Sequence, residues 1–293
     1  MLNTEEMRQA LAAHVRDPDE SMIVAPGVFD MISVKIANRY PLDAVYMSGY
    51  GTVASYLGLP DAGLASYSDM VNRAKLMAEV SDVPVIADAD TGYGGLLNVQ
   101  HTVRGYENAG VAAIQIEDQE FPKKCGHTLG RRVIDKSEMA DKIAVACETR
   151  IDPNLLIIAR TDARTTLGLD EAIERANTYK NAGADVLFVE SPESEREFSV
   201  ISESIDAPLL ANMVEGGRSP LLRNEQLSSL GFAIAIFPGT GLTAAAAALD
   251  SVYSCIQQSG SSLDVQTPLF PISDLHETMG FPDVWAFEKK WTK

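Results

Sequence analysis

Acidic side chains follow several short apolar runs in this 293-residue chain. Asp88 and Asp90 come after one run, and Glu117 and Glu190 follow two later runs. Residues two apart on a strand point to the same face, so Asp88 and Asp90 should lie side by side. Crowded carboxylates need a cation, and oxygen ligands alone favour a hard ion such as Mg2+ or Mn2+. Alternatively, Asp90 caps the turn into Thr91–Gly92 and Glu190 pairs with a neighbouring arginine.

A guanidinium and a thiol accompany these carboxylates. Arg160 ends another apolar run, and its planar fork suits a carboxylate or phosphate, although an ion pair with either glutamate is equally compatible. Cys125 is flanked by Lys123–Lys124 and Gly126–His127. Neighbouring cations predict a lowered thiol pKa and a role in proton transfer. The polar segment Glu117–His127 is long enough to act as a mobile lid.

The elements that position these residues are visible in the hydrophobic pattern. Eight apolar runs alternate with amphipathic stretches, which predicts a (β/α)8 TIM barrel with its functional groups at the carboxyl ends of the strands. A doubly wound sheet is the rival, but no glycine-rich dinucleotide loop follows the first run. The runs are Met22–Ala25, Ala44–Met47, Val83–Ala87, Ala112–Ile116, Leu155–Ala159, Val186–Val189, Pro208–Ala211 and Ala233–Phe237.

Helices are expected between these runs and in the tail. The helix predicted at Asp30–Arg39 opens on Asp30, and Ser68 resembles an N-cap at the start of the helix predicted at Ser68–Val80. We expect a barrel domain over residues 1–260 and a helical tail over residues 261–293. The predicted helices are Asp30–Arg39, Ser68–Val80, Val99–Ala109, Ser137–Arg150, Asp170–Ala182, Glu193–Ser204, Asn224–Leu230, Thr243–Gln258 and Asp283–Lys290.

Composition excludes several classes of protein. Lys and Arg number 24 and Asp and Glu number 41, so the net charge is −17, which argues against nucleic acid and anionic membranes as partners. No apolar run reaches the length of a membrane span, and Met1–Asp19 is polar and helix-like rather than a signal peptide. The three cysteines match no zinc motif. These features predict a reducing, cytoplasmic setting.

Five segments together resemble the isocitrate lyase and phosphoenolpyruvate mutase superfamily. They occur in order and at family-like spacing, within a match from about Val24 to Gly260. Inside the superfamily, the chain resembles the short lyases that act on 2,3-dimethylmalate or 2-methylisocitrate. The segments are Leu57–Asp61, Ala87–Gly94, Ile116–Gln119, Lys123–His127 and Ala159–Asp162.

The resemblance implies a role for each matching residue. It implies Mg2+, with Mn2+ as an alternative, bound directly by Asp88 and through water by Asp61, Asp90 and Glu117. Cys125 is implied to be the acid–base group. The catalytic set is Cys125, Lys123, His127, Arg160 and Glu190. The substrate-binding set is Tyr46, Ser48, Gly49, Tyr50, Gly126 and Asn212.

The implied reaction is cleavage of a 2-hydroxy dicarboxylate, similar to 2,3-dimethylmalate, into pyruvate and propionate. Tyr50 and Phe121–Pro122 favour this compact substrate over a tricarboxylate. The alternatives are a 2-methylisocitrate lyase, an oxaloacetate hydrolase or decarboxylase at the same metal site, a phosphonate enzyme, and a non-catalytic dicarboxylate-binding protein. The family also implies a barrel whose last helix is exchanged between the subunits of a homotetramer.

Overall fold

The structure is a computed structural model that describes residues 3–17, 20–128 and 130–292. The chain forms two compact units, Met1–Thr240 and Gly241–Lys293. The predicted division at residue 260 falls where the long helix Thr240–Ser259 ends. Among the described helices, none has both the length and the apolar character required of a membrane span.

The first unit contains eight strands, each close to one of the predicted apolar runs. Most residues of these strands are buried, as expected of parallel strands covered on both faces. The strands are β1 Ile23–Val28, β2 Val45–Met47, β3 Val85–Asp88, β4 Ala113–Glu117, β5 Leu156–Thr161, β6 Val186–Val189, β7 Leu210–Asn212 and β8 Ile234–Phe237.

All eight strands are parallel, and their spatial order is β6-β5-β4-β3-β2-β1-β8-β7. The two ends of this sheet meet at a single bridge between Leu187 and Leu209. There the amide of Leu187 donates to the carbonyl of Pro208 at 2.9 Å. The sheet therefore closes into a barrel, so the predicted (β/α)8 fold is confirmed and the doubly wound alternative is wrong.

Alternate residues of each strand serve two hydrophobic layers. In β5, Leu156 and Ile158 belong to an inner cluster, whereas Ile157 and Ala159 belong to an outer cluster shared with the helices. Each fully buried Leu or Ile side chain contributes about 1.5–3 kcal/mol of transfer free energy. This packing on both faces leaves the carboxyl ends of the strands as the place for polar groups.

The helices follow the predicted pattern with local differences. The cap of α4 is Ser66 rather than Ser68, because the Asp69 carboxylate accepts from the Ser66 amide at 2.8 Å and the Ser66 hydroxyl accepts in return. Helices α3, α7 and α12 are absent from the predicted set. The helices are α1 Thr4–Arg16, α2 Met31–Ala37, α3 Gly49–Leu57, α4 Tyr67–Val80, α5 Leu96–Ala109, α6 Lys136–Thr149, α7 Arg164–Leu167, α8 Leu169–Asn181, α9 Glu195–Ser204, α10 Asn224–Ser229, α11 Thr240–Ser259, α12 Ile272–Thr278 and α13 Phe281–Trp291.

Helix α1 covers the amino end of the barrel. Its residues Leu11 and Val15 belong to the inner cluster, and Arg8 donates to the carbonyl oxygens of Val111 at 2.9 Å and Glu107 at 2.5 Å. Val111 lies just before β4, so α1 packs at the end of the barrel opposite the polar residues. The interior is thereby closed on that side, and a substrate has to approach from the carboxyl ends of the strands.

The second unit contains α12, α13 and most of α11. The ring of Phe281 lies 4.7 Å from that of His276 and 5.9 Å from that of Trp285. None of the residues described in this unit is buried, and Trp285, Phe287 and Trp291 are more than half exposed. Packing of this unit on a neighbouring subunit stays a prediction.

Candidate active site

The predicted site residues converge at the carboxyl ends of the strands. Asp88 ends β3 and is aligned with Gln115, while Glu117 ends β4 and is aligned with Arg160 of β5. Glu190 follows β6, and Asn212 ends β7. Parallel register therefore brings together residues that lie more than one hundred positions apart in the chain.

Lys123 occupies the centre of the carboxylate cluster. Its ammonium lies 2.6 Å from Asp61 Oδ1 and 2.6 Å from Asp90 Oδ1, and its side chain is only 3% exposed. Burial works to lower the pKa of Lys123, but Asp90, Glu117 and Asp61 hold it well above its ordinary range. The ammonium is thus a fixed positive charge. It supplies the cation that the crowding of Asp61 and Asp90 demands.

The carboxylates beside Lys123 are shifted in the opposite sense. Burial raises the pKa of Asp90 to about 6, against the opposing effect of the Lys123 ammonium. Burial also raises the pKa of Glu117 well above its usual range, and Arg160 opposes this rise. Burial of Asp90 and Glu117 therefore outweighs the stabilisation that Lys123 and Arg160 give to their negative charges. A further positive group would be accommodated favourably.

Two oxygen atoms could serve such a group. Glu117 Oε1 is buried without a hydrogen-bond partner among the described residues. Asp88 Oδ1 accepts from the Asp90 amide at 2.9 Å, while Oδ2 faces Gly49, where an added Cβ would lie 2.4 Å away. Within residues 3–17, 20–128 and 130–292, no three acidic, histidine or cysteine side chains converge on one point. Buried carboxylate oxygens of this kind fit the ligands that a hard cation prefers.

Arg160 is held by more carboxylates than the sequence suggested. Its Nε and Nη2 donate to the two oxygens of Asp162, both at 2.9 Å. It also lies 3.4 Å from Glu117 Oε2 and 3.4 Å from Glu190 Oε2. Arg131 donates to the same Asp162 at 2.5 Å, so two arginines share one carboxylate. The ion-pair interpretation of Arg160 holds, and the strong partner is Asp162.

The lid, residues 119–128 and 130–133, is tied to the rim through its backbone. The Cys125 amide donates to the carbonyl of Asp61 at 3.1 Å, and the Ser191 hydroxyl donates to the carbonyl of Gly126 at 3.3 Å. Gly126 packs so closely that an added Cβ would lie 2.3 Å from Arg160 Nη2. These contacts hold the Lys123–His127 segment against the arginine and the carboxylates.

The expected lowering of the Cys125 pKa is wrong. Burial raises the pKa of this thiol, and the backbone amide of His127 only partly opposes the rise. The neighbouring cations do not dominate, because Lys123 is committed to Asp61 and Asp90. Cys125 is therefore a protonated thiol at neutral pH, suited to donating a proton and poorly suited to nucleophilic attack.

His127 and Asn212 lie together beside Glu190. The Asn212 amide donates to Glu190 Oε2 at 3.0 Å and lies 3.4 Å from His127 Nε2. Burial lowers the pKa of His127, with Glu190 opposing the shift, so the imidazole is neutral at pH 7. The backbone amide of Arg218 donates to His127 Nδ1 at 3.4 Å, and Nε2 faces the Asn212 amide. His127 and Asn212 are therefore neutral polar groups beside Glu190.

The residues predicted to bind substrate at β2 are only partly gathered at the site. The buried Tyr46 hydroxyl donates to Gln115 Oε1 at 2.9 Å. Ser48 caps α3 by accepting from the Gly51 amide at 3.1 Å, and Gly49 packs against Asp88. Tyr50 is 48% exposed. The start of α3 thus offers backbone amides near Asp88.

Sequence analysis missed three residues that organise the site. Asp162 follows Arg160 by two positions, and the same alternation rule used for Asp88 and Asp90 would have found it. Asp118 is fully buried and accepts from Thr161, Tyr179 and the Asp162 amide. No local signal distinguishes Arg131, because its partner Asp162 is 31 positions away.

Comparison with known proteins agrees with this geometry. Residues 14–256 match the phosphoenolpyruvate phosphomutase family. The chain is 46% identical to a 2,3-dimethylmalate lyase from Eubacterium barkeri over 99% of both chains. It is 40% identical to a 2-methylisocitrate lyase from Halalkalibacterium halodurans, over 94% of this chain and 91% of the relative.

Solved structures extend the comparison. A crystal structure of 2,3-dimethylmalate lyase superposes with a TM-score of 0.92 at 34% identity, covering 100% of this chain and 96% of that one. An oxaloacetate acetylhydrolase in complex with 3,3-difluorooxalacetate superposes with a TM-score of 0.91 at 35% identity, covering 98% and 97%. The chain is therefore a lyase of the phosphoenolpyruvate mutase and isocitrate lyase superfamily.

Proposed function

We propose that this enzyme is a Mg2+-dependent carbon–carbon lyase that splits a 2-hydroxy dicarboxylate of the 2,3-dimethylmalate type into pyruvate and propionate. The position of Cys125 carries this proposal. Burial raises the pKa of its thiol and keeps it protonated, and the charges of Arg160, Glu190 and Asp61 also act on the thiol. A half-buried proton donor within the electrostatic influence of a guanidinium is what a reaction that leaves a carbanion next to a carboxylate requires.

The bond changes balance with the groups present. The hydroxyl on C2 releases its proton to solvent, the C2–C3 bond breaks, and the C–O bond becomes the carbonyl of the 2-oxo acid. The electron pair of the broken bond remains on C3, beside the second carboxylate. Cys125 gives its proton to C3, which completes propionate, and the thiolate is reprotonated before the next turnover.

A metal ion would complete the carboxylate side of the site. Asp88 would bind Mg2+ directly, with Asp61, Asp90 and Glu117 contributing through water, and Mn2+ is an alternative. When bound, the ion supplies Lewis-acid stabilisation of negative charge on the C2 oxygen. The fixed charge of Lys123 keeps Asp61 and Asp90 in place.

Other residues would bind and orient the substrate. Arg160 would stabilise charge on the second carboxylate, and Asp162 at 2.9 Å and Glu190 at 3.4 Å would hold its orientation. His127 and Asn212 offer neutral polar groups to a carboxylate oxygen. Tyr46, Ser48, Gly49, Tyr50 and the backbone of Gly126 would complete the pocket for the 2-oxo acid half.

Sequence identity to named relatives favours a compact dicarboxylate substrate over a tricarboxylate. The relative at 46% identity is named for 2,3-dimethylmalate, whereas a relative at 40% is named for 2-methylisocitrate. An oxaloacetate hydrolase is the second candidate, because one of the superposing structures bears that name with a TM-score of 0.91. That chemistry adds water to the C2 carbonyl before the C2–C3 bond breaks, and it too leaves a carbanion at C3 for Cys125 to protonate. The choice between the two reactions therefore rests on sequence identity, which is 46% to the 2,3-dimethylmalate lyase.

A coupled assay tests the proposal. Pyruvate release is followed with lactate dehydrogenase and NADH from 2,3-dimethylmalate, 2-methylisocitrate, 2-methylmalate and oxaloacetate, each with Mg2+ and with EDTA. We expect pyruvate chiefly from 2,3-dimethylmalate, abolished by EDTA and restored by Mg2+. Activity only on oxaloacetate would replace this proposal with the hydrolase or decarboxylase alternative.

We further propose a cytoplasmic homotetramer. Cys125, Cys147 and Cys255 are free thiols, as expected of a protein kept in a reducing compartment. The exposed aromatic side chains of the second unit support burial against another copy of the chain.

A further inference from the structure

A cavity outside the candidate active site lies between the two arms of the lid. It has a volume of about 330 Å3. The first arm, residues 119–124, and the second arm, residues 130–133, are joined at their base by a bridge between Gln119 and Val133. The Glu120 amide also donates to the carbonyl of Arg132 at 2.8 Å. The lining residues are Gln119, Glu120, Pro122, Lys124, Gly130, Arg131 and Arg132.

The cavity is positively charged in a strongly acidic protein. Three of its lining residues, Lys124, Arg131 and Arg132, are cations, and Glu120 is its single lining carboxylate. The whole chain carries a net charge of −17, so the positive charge around this cavity is opposite in sign to that of the protein as a whole. Glu120 pairs with Arg132 at 2.7 Å, and Lys124 Nζ donates to the carbonyl of Gly130 at 3.4 Å.

The buried cation of the cavity is incompletely satisfied. The Arg131 side chain is 1% exposed, and its Nε has no hydrogen-bond partner within the part of the chain that the structure describes. Its Nη1 donates to Asp162 and its Nη2 donates to Thr165 at 2.6 Å. A buried guanidinium N–H without an acceptor is costly, and an anionic oxygen would satisfy it.

We propose that this cavity binds a small dianion whose oxygens resemble those of a phosphate or a dicarboxylate, and that the bound dianion ties the two arms of the lid together. Lys124 comes from the first arm, and Arg131 and Arg132 come from the second. A dianion between them joins the arms through charge-assisted hydrogen bonds to Lys124, to Arg132 and to the partnerless Nε of Arg131.

Occupancy of this site is linked to the candidate active site through one carboxylate. Asp162 Oδ1 accepts from Arg131 Nη1 at 2.5 Å and from Arg160 Nη2 at 2.9 Å. An anion that binds Arg131 weakens its interaction with Asp162, so that Asp162 interacts more strongly with Arg160. The same anion also holds Cys125 and His127 in place. This regulatory consequence rests on the proposed function, whereas binding of the anion does not.

Calorimetric titration with inorganic phosphate, and in parallel with succinate, tests the proposal on the full-length chain. The test variant is Lys124→Gln/Arg132→Gln, which removes two exposed cations of the cavity and keeps the buried Arg131. The control variant is Lys75→Gln/Arg104→Gln, which removes two exposed cations from α4 and α5. Both variants carry the same net charge, so a general electrostatic effect acts on them equally.

We expect the test variant to bind at least one of the two anions about tenfold or more weakly than the wild type does, while the control binds as the wild type does. Hydrogen exchange in residues 119–133 of the wild type should slow when that anion is added, and should not slow in the test variant. Equal affinities for both anions in the wild type and the test variant, or no binding at millimolar concentration, would overturn the proposal. Neither readout uses turnover, so an inactive enzyme would count against the proposed function alone.

Discussion

At the scale of single residues, the site combines fixed charges with a half-buried thiol. Lys123 is paired with Asp61 and Asp90 at 2.6 Å each. Burial raises the pKa of the Cys125 thiol, and Arg160 opposes that rise only in part. In the lid, Lys123 is a fixed cation, and Cys125, two positions later, is a proton donor.

Substitution of Cys125 by Ser should reduce kcat/KM by about 10²–10⁴-fold, the range that general acid catalysis contributes. The fold should be retained, because serine has nearly the same shape. Steady-state kinetics with 2,3-dimethylmalate, with circular dichroism as the control for folding, would measure this. A variant as fast as the wild type would remove Cys125 from the reaction.

The pH dependence should report the protonated thiol. A proton donor with a raised pKa is active below that pKa and is lost as the pH rises through it. The alkaline limb of the wild-type profile should therefore lie above the ordinary thiol value of about 8.5. The Ser variant should lack this limb over the same range. A limb near pH 6 to 7 would mean that the thiolate is stabilised after all.

Gly126 should tolerate no larger side chain. An added Cβ would lie 2.3 Å from Arg160 Nη2 and 3.1 Å from Glu190 Cδ, so Gly126→Ala must displace the guanidinium or the lid. We expect kcat/KM to fall by at least about tenfold, since small misplacements of positioning groups are costly. Gly95→Ala is the matched control, because nothing lies within 4 Å of its Cβ. Equal activities of the two variants would show that Arg160 has room to move.

At the scale of secondary structure elements, parallel register does most of the positioning. The alignment of Glu117 with Arg160 follows from β4 and β5 being neighbours. Asp118, the next residue, is buried and anchors the end of β5 through Thr161 and the Asp162 amide. Tyr179 of α8 donates to the same carboxylate at 2.8 Å. One buried carboxylate thus joins two strands and a helix.

Loss of that anchor should destabilise the enzyme. Asp118→Ala removes one ion-pair partner, at 3.2 Å, from the buried Arg175 guanidinium, which keeps Glu171 at 2.9 Å, and it removes an acceptor from three further donors. Each buried donor left without an acceptor costs about 1–3 kcal/mol in the free energy of unfolding. Urea denaturation compared with Asp141→Ala, an exposed aspartate of α6, would measure the difference. Equal midpoints for the two variants would contradict the anchoring role.

The elements were predictable to the extent that local pattern determines them. All eight strands were foreseen, because continuous apolar runs are a direct consequence of burial on both faces. Helix α3 was missed because Gly49 and Gly51 have low helix propensity. Close packing requires both glycines, Gly49 against Asp88 and Gly51 against Phe29. Lys123 among the carboxylates, and Arg131 on Asp162, depend on contacts between distant segments that no local pattern encodes.

At the scale of the whole molecule, the first unit is a complete barrel and the second exposes its apolar side chains. The inner and outer clusters account for the buried core of the barrel. The second unit has no buried residue among those described, and Phe287 and Trp291 are each 65% exposed. Exposed aromatic surface of this kind is typical of a protein–protein contact.

Sedimentation should therefore give a mass of four times the 31.6 kDa of one chain. Substitution of both Phe287 and Trp291 by Asp places charges on the exposed apolar surface and should lower that mass. A wild-type enzyme that sediments as a monomer at micromolar concentration would contradict the proposed tetramer. The barrel and its site would be unaffected by that result.

Turnover of 2,3-dimethylmalate in D2O, followed by proton NMR, tests the central claim most directly. A carbanion protonated by an exchanged thiol takes up one deuterium, so the products should be pyruvate and propionate with a single deuterium at C2. The reaction should stop when EDTA removes the metal and should be almost absent in the Cys125→Ser variant. No pyruvate from this substrate in the presence of Mg2+, or propionate without deuterium, would contradict carbon–carbon cleavage with protonation at C3.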